Sequence, residues 1–311
     1  MISIVSPIYN EEDNLNDLCQ SIVAVLEDIN EEFEIILVEN GSFDKSFEVM
    51  RRLRENDRRI KYIRLSRNFG HQGGIIAGLT HASGDAIITI DGDLQQPPEL
   101  ISELIKRWKG GYEVVFTTKK VNKRDGHSML FLKSVFYKIL TIISDVNLSF
   151  GQSDYRLLDR KVVDVILNIP ERNKFLRGMV EWVGFAQIGI EYKVDPRKRG
   201  DSKFSFWSYV GFALDGIFSF STIPLKIFLW VGVLIAIACG FYASYYFTIG
   251  LINLFIPGTY QLPPGWATIT FSILFLGSIQ LIGIGCLGEY IARIFTQTKQ
   301  RPDFVVKEIS L

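Results

Sequence analysis

Ile87-Ile88-Thr89-Ile90-Asp91-Gly92-Asp93 is a short, β-branched apolar run that stops abruptly at two carboxylates separated by one glycine. Two acidic side chains crowded at a strand end repel each other and lose solvation unless a cation sits between them. Mg²⁺ or Mn²⁺ held by Asp91 and Asp93 and shared with a substrate diphosphate meets that need, because hard ions prefer oxygen ligands and keep coordination positions open for phosphate. Taken alone, the triplet also reads as an ordinary Asp-Gly turn. Its surroundings decide between the two.

Outward from this stretch, short apolar runs alternate with amphipathic ones, the order of a βαβ protein with a mainly parallel sheet. The pattern predicts strands at 2–5, 34–38, 60–64, 86–90 and 114–117, with helices at 14–30, 46–55 and a Gly-rich one at 73–82. Ser6-Pro7-Ile8-Tyr9-Asn10-Glu11-Glu12 and Val38-Glu39-Asn40-Gly41-Ser42-Phe43-Asp44 are both strand ends running into turn residues. Ligands bind at that edge of an open α/β sheet, although either stretch alone could be a structural turn. Arg64 to Gly74 adds the cation Arg67 beside glycines that allow close backbone approach, which suits the nucleotide part of a ligand.

The second half is different in kind. Charged residues make up 22% of the chain, yet none of Asp, Glu, Lys, Arg or His occurs from Ile227 to Gly288. Within that stretch, 227–250 and 267–288 each reach the ~20 residues needed to span a bilayer. Pro257-Gly258 and Pro263-Pro264-Gly265 lie between them, so a two-helix transmembrane hairpin is expected. Lys226 precedes the first span and Arg293, Lys299, Arg301 and Lys307 follow the second, whereas the connection has no Lys or Arg. The positive-inside rule then places both ends in the cytoplasm, in line with the absence of a signal-peptide pattern at the start. The aromatic segment 203–222 reads either as an amphipathic element in the membrane interface or as a buried helix. After the basic loop 119–124, the stretch 128–143 reads as a surface helix.

Formal net charge is zero, which gives no reason to expect a nucleic-acid partner. Cys19, Cys239 and Cys286 are far apart and odd in number, indicating neither a disulfide framework nor a zinc site.

Taken together, the motifs resemble family 2 glycosyltransferases of the GT-A fold. The first strand and loop, the Val38 to Asp44 segment and Asp91-Gly92-Asp93 carry the likeness; Glu39-Asn40 departs from that family's usual pair of aspartates. Downstream, Gly151-Gln152-Ser153-Asp154-Tyr155-Arg156, Pro170 to Phe175, Arg177-Gly178, Trp182-Val183-Gly184 and Arg199 to Phe204 resemble the polyprenyl-phosphate glycosyltransferases. So do Ser219-Phe220-Ser221 and Leu287-Gly288-Glu289-Tyr290. The bacterial glucosyl subgroup is the most similar, with dolichyl-phosphate mannose synthases also in this group.

The resemblance implies a GT-A catalytic domain at 1–200, a juxtamembrane segment at 201–225, two spans within 226–292 and a cytoplasmic tail at 293–311. It implies that Pro7, Tyr9, Glu11, Glu39, Arg67 and Asp91 bind the nucleotide-sugar, that Asp91 and Asp93 hold Mg²⁺ or Mn²⁺, and that Asp154 and Asp93 are catalytic. Arg156, Arg177, Arg199 and Lys203 are the cations expected to meet a lipid phosphate; they could equally attract anionic headgroups. The implied reaction is inverting transfer of a hexose, first of all glucose from UDP-glucose, to undecaprenyl phosphate at the cytoplasmic face of the plasma membrane. A separate flippase and a downstream transferase would then use the lipid-linked sugar in modifying envelope polysaccharide. Mannose or aminoarabinose are alternative sugars. A homo-oligomer is implied too, and Gly277, Gly283, Gly285 and Gly288 would allow close helix packing between copies or within one hairpin.

Two rival classes remain. A non-catalytic nucleotide-sugar-binding subunit gains weight from Glu39-Asn40 and loses it from intact Asp91, Asp93 and Asp154. A processive polysaccharide synthase would carry more spans and a Gln-x-x-Arg-Trp signature, which this sequence lacks.

Overall fold

A computed structural model describes residues 1–119, 152–171, 174–192, 221–256 and 265–311. The basic loop after Lys119, the helix expected at 128–143, the segment at 203–220, the interhelical turn at 257–264, and Arg199 and Lys203 lie outside the described residues. Two compact units are present, one of residues 1–219 with 300–311 and one of residues 220–299.

The first unit is built on an eight-stranded mixed sheet. Its elements are β1 (Ile2–Ile8), α1 (Leu15–Asp28), β2 (Phe33–Glu39), α2 (Ser46–Asn56), β3 (Ile60–Leu65), α3 (Gly70–His81), β4 (Ala86–Thr89), α4 (Leu100–Lys109) and β5 (Val114–Lys119). They continue as β6 (Gln152–Asp159), α5 (Arg160–Asn168), α6 (Leu176–Trp182), β7 (Gln187–Tyr192) and β8 (Val306–Ser310). The spatial order is β7-β5-β6-β4-β1-β2-β3-β8. β1 pairs parallel with β2 and β4, β2 with β3, and β5 with β7, while β6 and β8 run antiparallel to their neighbours. A mainly parallel sheet covered on both faces demands strands that are apolar throughout. All of β2 and six of seven residues of β1 are buried accordingly.

Helix formation follows from spacing. In α1, Leu15, Leu18, Cys19, Ile22 and Leu26 are buried, the i, i+3, i+4, i+7 stripe of one helical face. Each such Leu or Ile contributes about 1.5–3 kcal/mol by leaving water. Burial pushes the Cys19 thiol up to about 12, so it behaves as a small apolar side chain and not as a nucleophile. The Gly-rich α3 has a packing reason: a Cβ on Gly78 would lie 2.1 Å from Val5 Cγ1, and one on Gly74 would lie 3.0 Å from Pro7 Cβ. Only glycine lets α3 settle this closely on β1.

One buried charge ties the sheet together. Glu34 accepts hydrogen bonds from Ser3 Oγ at 2.6 Å, Ser83 N at 2.6 Å and Lys61 Nζ at 2.7 Å. Burial raises the pKa of this carboxyl, and the bonds from Lys61, Ser3 and Ser83 outweigh it, leaving the group below its ordinary range. Its contribution is therefore present above the ordinary glutamate pKa and lost as pH falls through the folded value. Glu34→Ala leaves Ser3 Oγ and Ser83 N without their acceptor and Lys61 without its counter-charge. It is expected to lower stability by about 3–5 kcal/mol, read as a lower thermal midpoint of the purified protein, with the deficit shrinking in acid.

Within the stretch 293–311, residues up to Thr298 belong to the second long helix and Val306–Ser310 form β8. After the second long helix, residues 300–311 rejoin the first unit and β8 closes the β3 edge, with Tyr62 Oη donating to Glu308 at 2.8 Å and Ser66 N to Val305 O at 2.9 Å. Asp303 meets Lys174 Nζ at 3.5 Å, both largely buried.

The second unit is a pair of 33-residue helices, α7 (Ile223–Phe255) and α8 (Trp266–Thr298). Each is about 50 Å long at 1.5 Å per residue, longer than the spans at 227–250 and 267–288. Pro224 lies in the first turn of α7, where the helix has no N–H bond to lose, and Ser221 Oγ accepts from Ile223 N at 3.1 Å. Both helices are long and apolar enough to cross a membrane, and large side chains such as Trp230, Phe241 and Leu281 are about 70% exposed along them. Tyr290 Oη donates to Ser221 O at 2.7 Å. Of the four glycines expected to allow close packing, Gly283 faces Phe228, whose ring lies 3.4 Å from the Cβ position; Gly277, Gly285 and Gly288 have open space there.

Candidate active site

Because β1, β2 and β4 run parallel, the loops leaving them emerge at one edge of the sheet. The first two are laced together. Asn10 N donates to Ser42 Oγ at 3.1 Å, Glu11 N to Ser46 Oγ at 3.0 Å, Phe43 N to Asn10 Oδ1 at 2.8 Å and Lys45 N to Glu12 Oε2 at 2.8 Å. The loop after β4 rests on them, because a Cβ on Gly92 would lie 2.8 Å from Ile8 Cδ1. The glycine between the two aspartates is thus a packing requirement.

Asp154 comes from the neighbouring antiparallel strand. Thr89 pairs with Arg156, so two more residues along the same register bring Asp154 level with Asp91. Three carboxylates separated by some 60 positions in sequence thereby share one strand edge.

Their partners are specific. Arg177 of α6 grips Asp154 with two parallel bonds, Nε to Oδ1 at 2.9 Å and Nη2 to Oδ2 at 2.8 Å. Arg156 Nη2 donates to Asp154 Oδ1 at 3.3 Å and to Ser153 O at 3.0 Å, while its buried Nη1 has no hydrogen-bond partner among the described residues. Burial opposes ionisation of Asp154, but Arg177, then Arg156 and His71, hold the carboxyl well below the usual carboxylate range. Burial lowers Arg156 to about 10, partly offset by Asp154, so it stays charged at neutral pH.

His71, in the first turn of α3, joins the two carboxylate positions. Its Nε2 is 2.9 Å from Asp91 Oδ1 and its Nδ1 is 3.9 Å from Asp154 Oδ2. Burial lowers its pKa, but the bond and charge of Asp91 and the charge of Asp154 prevail and raise it to about 9. On its other oxygen, Asp91 Oδ2 accepts from Gln96 Nε2 at 2.6 Å, and Asp91 N donates to Gln96 Oε1 at 2.8 Å. Asp93 Oδ1 accepts from Gln95 N at 3.1 Å.

A divalent cation fits this edge. The donors are hard oxygens, Asp91 and Asp93 are both part-exposed, and an imidazolium already occupies the Asp91 Oδ1 position, where positive charge is favoured. Among the described residues no group of three His, Cys, Asp or Glu could enclose an ion unaided. A cation here would complete its shell with oxygens from elsewhere, as Mg²⁺ does with phosphates.

The remaining residues expected at the site are placed as follows. Pro7 lies at the end of β1 against Gly74, and the Tyr9 ring is 6.3 Å edge-on from Phe43, itself 89% exposed. Glu11 Oε2 accepts from Asn14 Nδ2 at 2.7 Å. Glu39 is buried, its carboxylate taken by Ser42 N and lying 3.4 Å from Arg64 Nε. Arg67 is exposed and stacks on Phe69 at 4.0 Å.

Asn40 has its own reason to replace an aspartate, because its Nδ2 donates to Gly70 O at 2.9 Å while its Oδ1 accepts from Phe69 N at 2.9 Å. An aspartate could do only the second. Gly41, at φ +77°, lets this loop touch the next: an added Cβ would lie 2.5 Å from Asn68 N. Gly41→Ala is expected to push the 67–71 loop away and raise the donor KM about tenfold, measured by initial rates at saturating acceptor.

His71, Gln96 and Phe43 were not among the residues expected from sequence. His71 and Phe43 sit inside the motifs quoted above, but nothing in the sequence says that their side chains turn inward or outward.

Residues 3–167 match the protein-family model described as glycosyl transferase family 2. An uncharacterized glycosyltransferase of Synechocystis is 39% identical over 99% of this chain and 95% of its own length. A prophage bactoprenol glucosyl transferase homolog of Escherichia coli is 37% identical over 99% of both chains. The bactoprenol glucosyl transferase of Shigella phage SfV is 37% identical over 98% of both.

Proposed function

The chain belongs to glycosyl transferase family 2, and on that premise we propose that it transfers glucose from UDP-glucose, with inversion, to a polyprenyl phosphate such as undecaprenyl phosphate. The observation that carries this reading is the full-length match to bactoprenol glucosyl transferases, which takes in the apolar helices as well as the sheet. A polyprenyl acceptor stays in the bilayer, so an enzyme using it gains from being held there. α7 and α8 supply such an anchor. The basic residues that flank the apolar helices favour the cytoplasmic side for both ends.

In the proposed reaction an oxygen of the lipid phosphate attacks the anomeric carbon from the face opposite the nucleotide. The bond from that carbon to the diphosphate oxygen breaks and UDP departs. A phosphate monoester has its second pKa near ~6 and is mostly a dianion at pH 7, so no base is needed to activate it. Asp154 is suited to a different task. Held ionised by Arg177 and Arg156, it accepts hydrogen bonds from sugar hydroxyls or orients the arginines toward the acceptor, and it takes no proton. Arg177, about a quarter exposed, is the described cation proposed to meet the lipid phosphate; Arg156, also expected there, is 3% exposed and supports it from behind through Asp154. Arg199 and Lys203 are proposed to join them. Pro7, Tyr9, Glu11, Glu39 and Arg67 are proposed to frame the nucleotide. Asp91 and Asp93 would hold Mg²⁺ or Mn²⁺, which when bound stabilises charge on the departing diphosphate.

A panel of radiolabelled UDP- and GDP-sugars, each offered to the purified protein with undecaprenyl phosphate, tests the choice of donor. Label from UDP-glucose in the lipid extract is the expected result. Label from a GDP-sugar, or from another UDP-sugar in preference to glucose, would overturn the assignment of glucose.

A further inference from the structure

Gln96 carries no charge and lies just beyond the acidic triplet, and it is only 1% exposed in a loop that also buries Gly92, Leu94 and Pro98. A buried primary amide is costly unless its groups are satisfied, and here both ends serve one residue. Its Oε1 accepts from Asp91 N at 2.8 Å and its Nε2 donates to Asp91 Oδ2 at 2.6 Å, with a longer contact of 3.4 Å from Nε2 to Ser153 Oγ. Ser153 Oγ in turn accepts from Tyr155 N at 3.2 Å, on the strand that carries Asp154.

The two oxygens of Asp91 are thus held unequally. Among the described residues Oδ1 is bound by His71 alone, and that ring is 41% exposed on a part-exposed carboxylate. Oδ2 is held by a buried amide that also grips the Asp91 backbone. From this asymmetry we propose that Gln96 is the positioning residue of the cation site: it fixes Asp91 so that Oδ1 faces the cation and ties that orientation to the Asp154 strand. The proposal rests on the reading of Asp91 and Asp93 as metal ligands.

The test uses the full-length protein, Mn²⁺ and UDP, with free Mn²⁺ followed by electron paramagnetic resonance. Gln96→Met keeps the volume and removes both hydrogen bonds, and the apparent Mn²⁺ Kd is expected to rise about 10–100-fold, the usual effect of removing a partner behind a metal ligand. Ser153→Ala leaves both Gln96–Asp91 bonds in place, removing the long contact and the bond from Tyr155 N, and is expected to shift Kd less than about threefold. Initial rates of Gln96→Met should recover as the metal concentration is raised, which a general loss of folded protein would not allow. An unchanged Kd in a folded Gln96→Met protein would overturn the proposal, as would equal shifts in the two variants, since these would point to strand packing. If the Met variant fails to fold, Gln96→Leu and Gln96→Asn are measured in its place; wild-type affinity in either overturns the proposal. Failure of the wild-type protein to bind Mn²⁺ with UDP would instead sink the underlying reading of Asp91 and Asp93.

Discussion

Replacing Asp154 by Asn is expected to lower turnover about a hundred- to a thousandfold while donor affinity changes by no more than a few-fold. The reason is the site's charge arrangement. Asp154 answers Arg177 through two short bonds and Arg156 through a third, and the amide keeps the shape while removing the charge that orders both guanidinium groups. Arg156 is fully enclosed, so the substitution also leaves a buried cation without its counter-charge, at a cost of about 3–5 kcal/mol. That loss has to be separated from the loss of chemistry. Turnover per folded molecule, measured well below the thermal midpoints of wild type and variant, separates the two and is expected to stay down. Wild-type turnover per folded molecule would make Asp154 a structural ion-pair partner only. Equal losses in donor binding and turnover for the single variant would place it on the nucleotide instead.

Asp93→Asn is expected to have an effect of similar size but of another kind. Asp91 and Asp93 leave one strand end in adjacent turns, and their hard oxygens are the natural partners for Mg²⁺ or Mn²⁺ beside a diphosphate. With one carboxylate neutralised, metal-supported transfer should fall at least a hundredfold. Binding of UDP should lose its dependence on Mn²⁺, as read by calorimetry with and without the ion. Undiminished Mn²⁺-dependent UDP binding in Asp93→Asn would show that Asp93 is a turn residue, the plainer reading of an Asp-Gly-Asp triplet.

The alternation of strands and helices in the first 119 residues was legible because parallel strands buried on both faces leave apolar runs, and because α1 repeats its apolar residues with a helical period. The two apolar helices were legible from the absence of charge. Other elements left weaker marks. β6 carries Asp154 and Arg156 inside the sheet, and no strand was expected there from the pattern because those charges break its apolar run; their mutual pairing is what allows them to be buried. β8 is five residues long and sets Lys307 and Glu308 side by side between Val306 and Ile309, with no alternation to tell an edge strand from a tail. α4 begins just after Pro97-Pro98 and buries Ile101, Leu104 and Ile105, a pattern present in the sequence but passed over beside the acidic triplet.

Within the site, the three aspartates could be picked out by residue type and motif. Their meeting depends on the antiparallel register of β4 with β6, which spacing does not encode. The contributions of His71 and Gln96 depend on loop reach, and Asn40 became intelligible only once Gly70 O and Phe69 N were seen to bracket its amide.

The most direct test of the central claim is transfer itself. Purified protein is given undecaprenyl phosphate, labelled UDP-glucose and Mg²⁺, and the organic phase is counted with and without EDTA. Label entering the lipid phase only when both the acceptor and free metal are present is the predicted result. Label remaining with the nucleotide under all conditions, despite measurable UDP-glucose binding, would contradict a lipid-phosphate glucosyltransferase.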